Sequence, residues 1–142
     1  MNWTTTDLKQ INSLNKGTLM QHLSIEYIEI SDRGLVAQMP VNETTHQPMG
    51  LLHGGASAAL IESIGSMGSA LLCDLAKESP VGLEINANHV SGIRSGMIKA
   101  IGKLVHHGKK THLWQVDVYD ENETKLICTG RITIMIIQNK LG

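Results

Sequence analysis

The chain has 142 residues, 42% of them hydrophobic and 18% charged, with a formal net charge of −1. This length is typical of one domain with one core, and the near-neutral charge offers no field for nucleic acid or an anionic membrane. No apolar run approaches the ~20 residues of a membrane span, and the polar segment 1–15 lacks the apolar region of a secretory signal, which favours a single cytoplasmic domain over residues 1–142.

The first predicted element is a short helix, which Thr6 can cap and Gly17 can end. Its apolar side chains recur at helical spacing: Leu8, Ile11 and Leu14. Two strand-like segments follow, 24–30 and 34–41, and the turn between them predicts a β-hairpin. Pro40 fits this interpretation because it lies near the end of the second strand.

A long helical segment, 54–76, comes next, and Pro80 prevents its continuation. Four further strands are predicted after it, each pair separated by turn residues. They cover 81–90, 97–106, 111–119 and 125–137. A helix, two strands, one long helix and four successive strands indicate an α+β fold, in which an antiparallel sheet of about six strands covers a single central helix.

Residues 54–73 contain one ionisable carboxylate or base, Glu62, so this helix is expected to be buried. Its many small residues predict close contact with a neighbouring backbone. No basic residue lies one turn away from Glu62, and burying an unpaired carboxylate costs several kcal/mol. A carboxylate retained there is a functional candidate rather than a solvated surface group. Ser66 projects from the same face and can bond a substrate group, a water or its own helix backbone.

The start of this helix predicts an anion-stabilising site. The sequence His53-Gly54-Gly55 leaves backbone N–H groups and the positive end of the helix dipole exposed, and glycine permits close approach of a ligand. Such a site suits an oxygen that acquires negative charge during acyl transfer, and Gln47 can supply a further donor. A glycine-rich turn that merely starts a helix is the alternative interpretation.

A distance argument predicts that two chains share each site. Eight residues separate Gly54 from Glu62, which at ~1.5 Å per residue is ~12 Å along the helix axis. Reacting atoms need contacts of about 3 Å, so one carbonyl group cannot reach both. The helix start and the carboxylate are therefore expected to come from different subunits of a symmetric dimer.

The segment Gln47-Pro48-Met49-Gly50-Leu51-Leu52-His53-Gly54-Gly55-Ala56-Ser57, followed by Glu62 and by the segment 82–89, resembles the hotdog-fold acyl-CoA thioesterases. The most similar subfamily uses a helix glutamate and includes 4-hydroxybenzoyl-CoA and 1,4-dihydroxy-2-naphthoyl-CoA thioesterases. The resemblance spans nearly the whole chain in matching element order. It implies hydrolysis of an acyl-CoA, with an aromatic or compact acyl group, by a homodimer with shared active sites that pairs into a homotetramer.

Within this resemblance the Gly54 N–H and Gln47 polarise the thioester carbonyl, and Glu62 of the other subunit attacks it or activates water. His53 positions the loop on the side of the leaving sulfur. The implied acyl pocket contains Met49, Ser66 and Met67. The implied CoA-binding residues are Gly82, His89, Val90, Ser91, Gly92, His106, His107, Gly108, Lys109, Lys110 and Thr111. A basic residue is absent at Ser91-Gly92, so Lys109, Lys110 and Arg94 are expected to carry more of the pyrophosphate binding.

Other functions compatible with this pattern are a thioesterase acting on an aryl carrier protein, a hotdog dehydratase or hydratase, and a non-catalytic acyl-CoA-binding protein. The retention of Gln47, Gly54 and Glu62 together favours catalysis. No cofactor is expected. A metal site is not expected either, because His106 and His107 have no third ligand at a recognisable spacing. Cys73 and Cys128 lie in apolar stretches without metal-ligand spacing and are expected to be free thiols.

Overall fold

The structure, a computed structural model, describes residues 7–139. It begins with two short helices, α1 (Leu8–Ser13) and α2 (Leu19–His22). Thr6, the predicted cap, lies outside the described residues, and the Asp7 side chain accepts a hydrogen bond from Lys9 N–H at 2.9 Å at the start of α1. Ile11 is buried as predicted, whereas Leu14 is exposed. The helix ends at Ser13, and Gly17, with a φ of 74°, lies in the following turn.

Six strands form one antiparallel sheet in the spatial order β1-β2-β4-β5-β6-β3. Ser31 pairs with Gly34, which confirms the predicted hairpin between the first two strands. Pro40 is the penultimate residue of its strand, beyond the last residue paired with β1. The strands are β1 (Glu26–Ser31), β2 (Gly34–Val41), β3 (Glu78–His89), β4 (Gly96–His107), β5 (Thr111–Asp120) and β6 (Leu126–Gln138).

The long helix α3 (Gly54–Ala70) packs on one face of this sheet. Its buried side chains Leu60, Ile61 and Ile64 contribute to a core with inward residues of the strands. A methyl group at Gly65 would overlap Ile132 Cγ2, and one at Gly68 would lie 2.5 Å from the Trp114 ring. The small residues of α3 therefore allow the close helix–sheet contact that the sequence predicts.

The predicted extent of α3 is wrong at its C-terminal end, because the helix stops at Ala70 rather than Ala76. Asp74 explains the difference, since its carbonyl accepts hydrogen bonds from Lys77 and Glu78 N–H, both at 2.8 Å, and its side chain accepts from Ala76 N–H. Aspartate that bonds its own local backbone favours a turn over a helix.

Two further differences concern strand boundaries. Strand β3 begins at Glu78 and includes Pro80, which an edge strand tolerates because one side of it needs no N–H donor within the sheet. Strand β1 begins at Glu26 rather than Ser24, because Ser24 adopts a φ of 55° that ends α2. Helix α2 was not predicted.

No helix within residues 7–139 is long and apolar enough to cross a lipid bilayer.

Candidate active site

The N-terminus of α3 presents a free backbone donor. His53 is the N-cap residue, and its Nδ1 accepts a hydrogen bond from Gly55 N–H at 2.8 Å. Its carbonyl accepts from Ala56 N–H at 2.9 Å. These bonds satisfy neighbouring donors, whereas Gly54 N–H has no acceptor among residues 7–139. The free N–H lies where the helix dipole favours negative charge.

Gln47 is oriented by its own loop. Its side-chain oxygen accepts a hydrogen bond from Met49 N–H, and its backbone closes the turn through Gly50 N–H to Gln47 O at 2.9 Å. Because the amide oxygen is occupied, the NH₂ group is the part of the side chain available to a ligand. Gln47 is thus set up as a donor.

Gln47 and Gly54 both line a cavity of about 330 Å³. The His89 ring lies so close to Gly54 that a methyl group there would be 2.7 Å from His89 Nε2, which explains the need for glycine. Sequence reasoning assigned His89 to coenzyme A and did not foresee its contact with the helix start. The cavity is lined by Gln47, Leu51, Leu52, Gly54, Ser57, His89, Val90, Ser91, Gly92 and Ile127.

Glu62 lies in a different cavity, of about 320 Å³. Its side chain is half-buried, its Oε1 accepts a 3.3 Å hydrogen bond from Ser66 Oγ, and no basic residue among residues 7–139 forms an ion pair with it. Ser66 therefore contacts the carboxylate rather than its own helix backbone. The cavity is lined by Met20, Tyr27, Glu62, Ser63, Ser66, Met67, Ala70 and Pro80.

Among the lining residues that the sequence did not indicate, Met20 and Tyr27 come from the N-terminal part of the chain. Tyr27 Oη donates to Ser63 O at 2.9 Å, and burial raises the Tyr27 pKa, so this hydroxyl stays neutral. Met20 comes from the unpredicted helix α2. An isolated methionine and tyrosine in the N-terminal quarter of a sequence give no signal for a site that lies 35 or more residues further on.

The predicted residues fall into two groups at opposite ends of β3. A methyl group at Gly82 would overlap Glu62 Oε1, so Gly82 lies beside the carboxylate. At the same end, Val81 pairs with Met135, which in turn pairs with Thr111, the first residue of β5 after the β4–β5 loop. Residues 89–92 lie at the other end, with Gln47 and Gly54.

The β4–β5 loop is a tight cationic turn. Gly108 N–H donates to Thr111 O at 2.9 Å, and Lys109 and Lys110 are exposed and form no ion pair with any described residue. Arg94 does not lie in this turn. Its Nη1 donates to Met49 O at 3.0 Å, near Gln47 and far from Lys109 and Lys110. Met49, the third predicted acyl-pocket residue, has 72% of its surface exposed and does not line the Glu62 cavity of its own chain.

The thioesterase superfamily model matches residues 49–127, more than half of the chain. The 1,4-dihydroxy-2-naphthoyl-CoA hydrolase of Escherichia coli is 42% identical over 130 residues, which cover 92% of this chain and 94% of the relative. The chain belongs to the thioesterase superfamily. It is a hotdog-fold thioester hydrolase, and its antiparallel sheet with one long helix confirms the predicted architecture.

Two further proteins that are similar to this chain are also named thioesterases. The proofreading thioesterase EntH of Cronobacter turicensis is 40% identical over 130 residues, covering 92% of this chain and 93% of the relative. The crystal structure of a mutant of thioesterase PA1618 from Pseudomonas aeruginosa superimposes with a TM-score of 0.92 at 41% identity, covering 96% of this chain and 97% of that one. The relatives are named thioesterases, so they favour this activity over the alternative of a hotdog dehydratase or hydratase.

Proposed function

We propose that this thioesterase hydrolyses an aromatic acyl-CoA to the free acid and coenzyme A. The observation that carries the proposal is the pairing of two complementary features: a helix N-terminus with a free Gly54 N–H, and a half-buried Glu62 that faces a separate cavity without a cationic partner. The similarity to an enzyme named for 1,4-dihydroxy-2-naphthoyl-CoA supports an aromatic acyl group.

The helix start serves as the oxyanion site of the proposed reaction. The thioester oxygen accepts hydrogen bonds from Gly54 N–H and the Gln47 NH₂ group, and both strengthen as that oxygen becomes negative. His53 Nδ1 holds Gly55 N–H, which keeps the turn before α3 in place and leaves Gly54 N–H unoccupied. His53 is thus a positioning residue on the side of the leaving sulfur.

Glu62 acts in the proposed reaction either as a general base or as the nucleophile. As a general base it takes a proton from water, the hydroxide oxygen bonds to the carbonyl carbon, the carbon–sulfur bond breaks, and the thiolate leaves and is protonated. As a nucleophile it forms an acyl anhydride, which water then cleaves to the same products. The hydrogen bond from Ser66 Oγ orients the carboxylate for either route.

A two-fold dimer through β3 brings the two halves of the site together. Strand β3 is an edge strand with exposed Val81 and Leu83, and edge strands offer unpaired backbone groups to a partner. If two β3 strands pair antiparallel about an axis between Ile85 and Asn86, Gly82 lies opposite His89 of the partner subunit, because these positions are equally far from the axis. The Glu62 cavity then adjoins the partner's helix start. A pair of such dimers would form the tetramer.

The cationic β4–β5 loop is the proposed contact for the coenzyme A phosphates. In the same dimer it lies at the Gly82 end, beside the shared site, where Lys109 and Lys110 can act as point charges. Residues 90–92 of the partner subunit would line the same coenzyme A site.

Cys73 and Cys128 are both free, which supports a reducing cytoplasm as the compartment and one domain without disulfides.

Release of free thiol from a panel of thioesters tests the proposal. The panel contains benzoyl-, phenylacetyl-, naphthoyl- and fatty acyl-CoA, the same acyl groups on N-acetylcysteamine, and an aryl carrier protein loaded with benzoate. We expect aromatic CoA esters to give the highest kcat/KM, and Glu62→Gln to lower kcat by about 10² to 10⁴-fold, the usual contribution of an acid–base residue. Asp32→Asn is the matched control, because Asp32 is an exposed carboxylate in the β1–β2 turn, at the sheet edge opposite β3.

Three outcomes contradict parts of the proposal. Equal rates for wild type and Glu62→Gln remove the catalytic role of Glu62. A higher kcat/KM for the loaded carrier protein than for every CoA ester replaces coenzyme A by a carrier protein. Equal KM for the CoA and N-acetylcysteamine esters removes the phosphate contacts of Lys109 and Lys110.

A further inference from the structure

Helix α2 forms part of the wall of the Glu62 cavity, although it lies far from the motif that marks the site. We infer that Met20, on this helix, determines the size of acyl group that the thioesterase accepts. The inference rests on the proposed function, because it takes the cavity beside Glu62 as the acyl pocket. It adds a specificity-determining residue that the sequence motif does not contain.

The polar groups of this cavity are largely accounted for. Ser66 Oγ is bonded to Glu62, and the Tyr27 hydroxyl is bonded to the Ser63 carbonyl. Tyr27 therefore presents its ring to the cavity, and Met20, Met67, Ala70 and Pro80 add further carbon surface. A cavity with an apolar wall and one carboxylate suits an apolar acyl group whose carbonyl carbon lies next to that carboxylate.

Two backbone hydrogen bonds across the turn at the end of α2 hold the backbone of Met20 in place. Ile25 N–H donates to Met20 O at 2.8 Å and Ser24 N–H donates to Gln21 O at 3.1 Å, with Ser24 in the left-handed region at a φ of 55°. These are the two hydrogen bonds of a Schellman motif. The buried Asn15 holds Ile25 O through its Nδ2 at 2.9 Å. These bonds hold the backbone that carries Met20, so a substitution at Met20 changes the cavity through its side chain.

Among the residues that line the cavity, Met20 is the one whose change should alter volume with least disturbance. Tyr27 is tied to α3 by its hydroxyl, and Ala70 and Pro80 are short. Met67 belongs to α3 itself, in the turn after Glu62, so changing it also disturbs the carboxylate's surroundings. Met20 is half-buried on a separate helix, and its side chain is flexible, with one weak contact in which its Sδ accepts from Thr18 Oγ1 at 3.6 Å, before the same helix.

The test compares two acyl groups that differ in size, benzoyl-CoA and 2-naphthoyl-CoA. We expect Met20→Ala to raise the ratio of kcat/KM for naphthoyl over benzoyl about tenfold, and Met20→Trp to lower it, since pocket volume discriminates by about 10 to 200-fold. Leu19→Ala is the matched control, because Leu19 is the neighbouring residue on α2, is 60% exposed and lines a different groove. We expect it to leave the ratio unchanged.

A second measurement keeps the test independent of turnover. Non-hydrolysable thioether analogues of the two substrates, phenacyl-CoA and naphthacyl-CoA, are titrated into wild type, Met20→Ala and Leu19→Ala, and the ratios of Kd are compared. Folded Met20 variants with wild-type ratios in both measurements overturn the inference. If no thioester is hydrolysed by wild type, the proposed function fails, while the ratio of the two Kd values still decides whether Met20 limits the pocket.

Discussion

At the scale of single residues, Gly82 shows how a backbone position can control the carboxylate. A methyl group there would overlap Glu62 Oε1, the end of a flexible side chain, while the backbone of Gly82 is exposed and not in the left-handed region. Gly82→Ala should therefore leave the thermal unfolding midpoint nearly unchanged and lower kcat about 10 to 100-fold, because small misplacements of reacting groups are costly.

Steady-state kinetics and thermal unfolding of the same preparation check this expectation. Lys103→Ala serves as control, since Lys103 is an exposed strand residue on β4, in the middle of the sheet order and away from the β3 edge. A Gly82→Ala enzyme with wild-type kcat would show that the carboxylate tolerates displacement.

His112 links stability to pH. Its side chain is 2% exposed, its Nδ1 has no hydrogen-bond partner among the described residues, and its ring packs edge-on to His107 at 4.6 Å. Burial, followed by the nearby His107, lowers the His112 pKa below 6.5, with Glu78 acting in the opposite direction. The unfolded chain therefore binds this proton more readily than the folded one.

Stability due to His112 is fully present above pH 6.5 and decreases as the pH falls from there towards the folded-state pKa. We expect the midpoint of urea unfolding to fall between pH 7.5 and 5, and the fall to be smaller in His112→Phe. His22→Gln, which changes an exposed histidine, should keep the wild-type dependence. Parallel pH profiles for wild type and His112→Phe would contradict this account.

At the scale of elements, the contact between α3 and the sheet depends on glycine. Gly65 is buried, and a methyl group there would overlap Ile132 Cγ2, a side chain packed in the core. Alanine is better than glycine in a helix by about 1 kcal/mol, but overpacking a core costs about 1 to 3 kcal/mol. Gly65→Ala should therefore destabilise the protein by up to about 2 kcal/mol in urea unfolding. An increase in stability would show that propensity outweighs packing.

Most elements could be predicted from local patterns, and the exceptions have local causes. Strand-like segments and the turn residues between them identified all six strands. Alternation of buried with less buried residues is clearest in β5, whereas β3 has no fully buried residue. The end of α3 was missed because the Asp74 turn competes with the helix over only a few residues. Helix α2 has four residues and no side-chain cap, so it carries no periodic signal and depends on packing for its formation.

At the scale of the whole molecule, one chain carries the parts of the proposed active site but does not bring them together. The sequence could propose these site residues because helix starts and lone carboxylates have a recognisable chemistry. The separation of Gly54 from Glu62 could be predicted only from the rise of α3 along its axis. In the structure these two residues line separate cavities. The wall formed by Met20 could not be predicted, because it depends on how α2 packs on α3 across a long sequence separation.

Complementation between two inactive chains tests the shared site. In a dimer of one Glu62→Ala chain and one Gln47→Ala chain, one site carries both lesions and the other carries neither, provided that each site takes Glu62 and Gln47 from different subunits. Random mixing makes half of the dimers mixed, so about a quarter of the wild-type activity should return. A site built within one chain would leave one lesion in each, and mixed dimers verified by mass spectrometry would stay inactive. Each variant alone, carried through the same unfolding and refolding, measures the background.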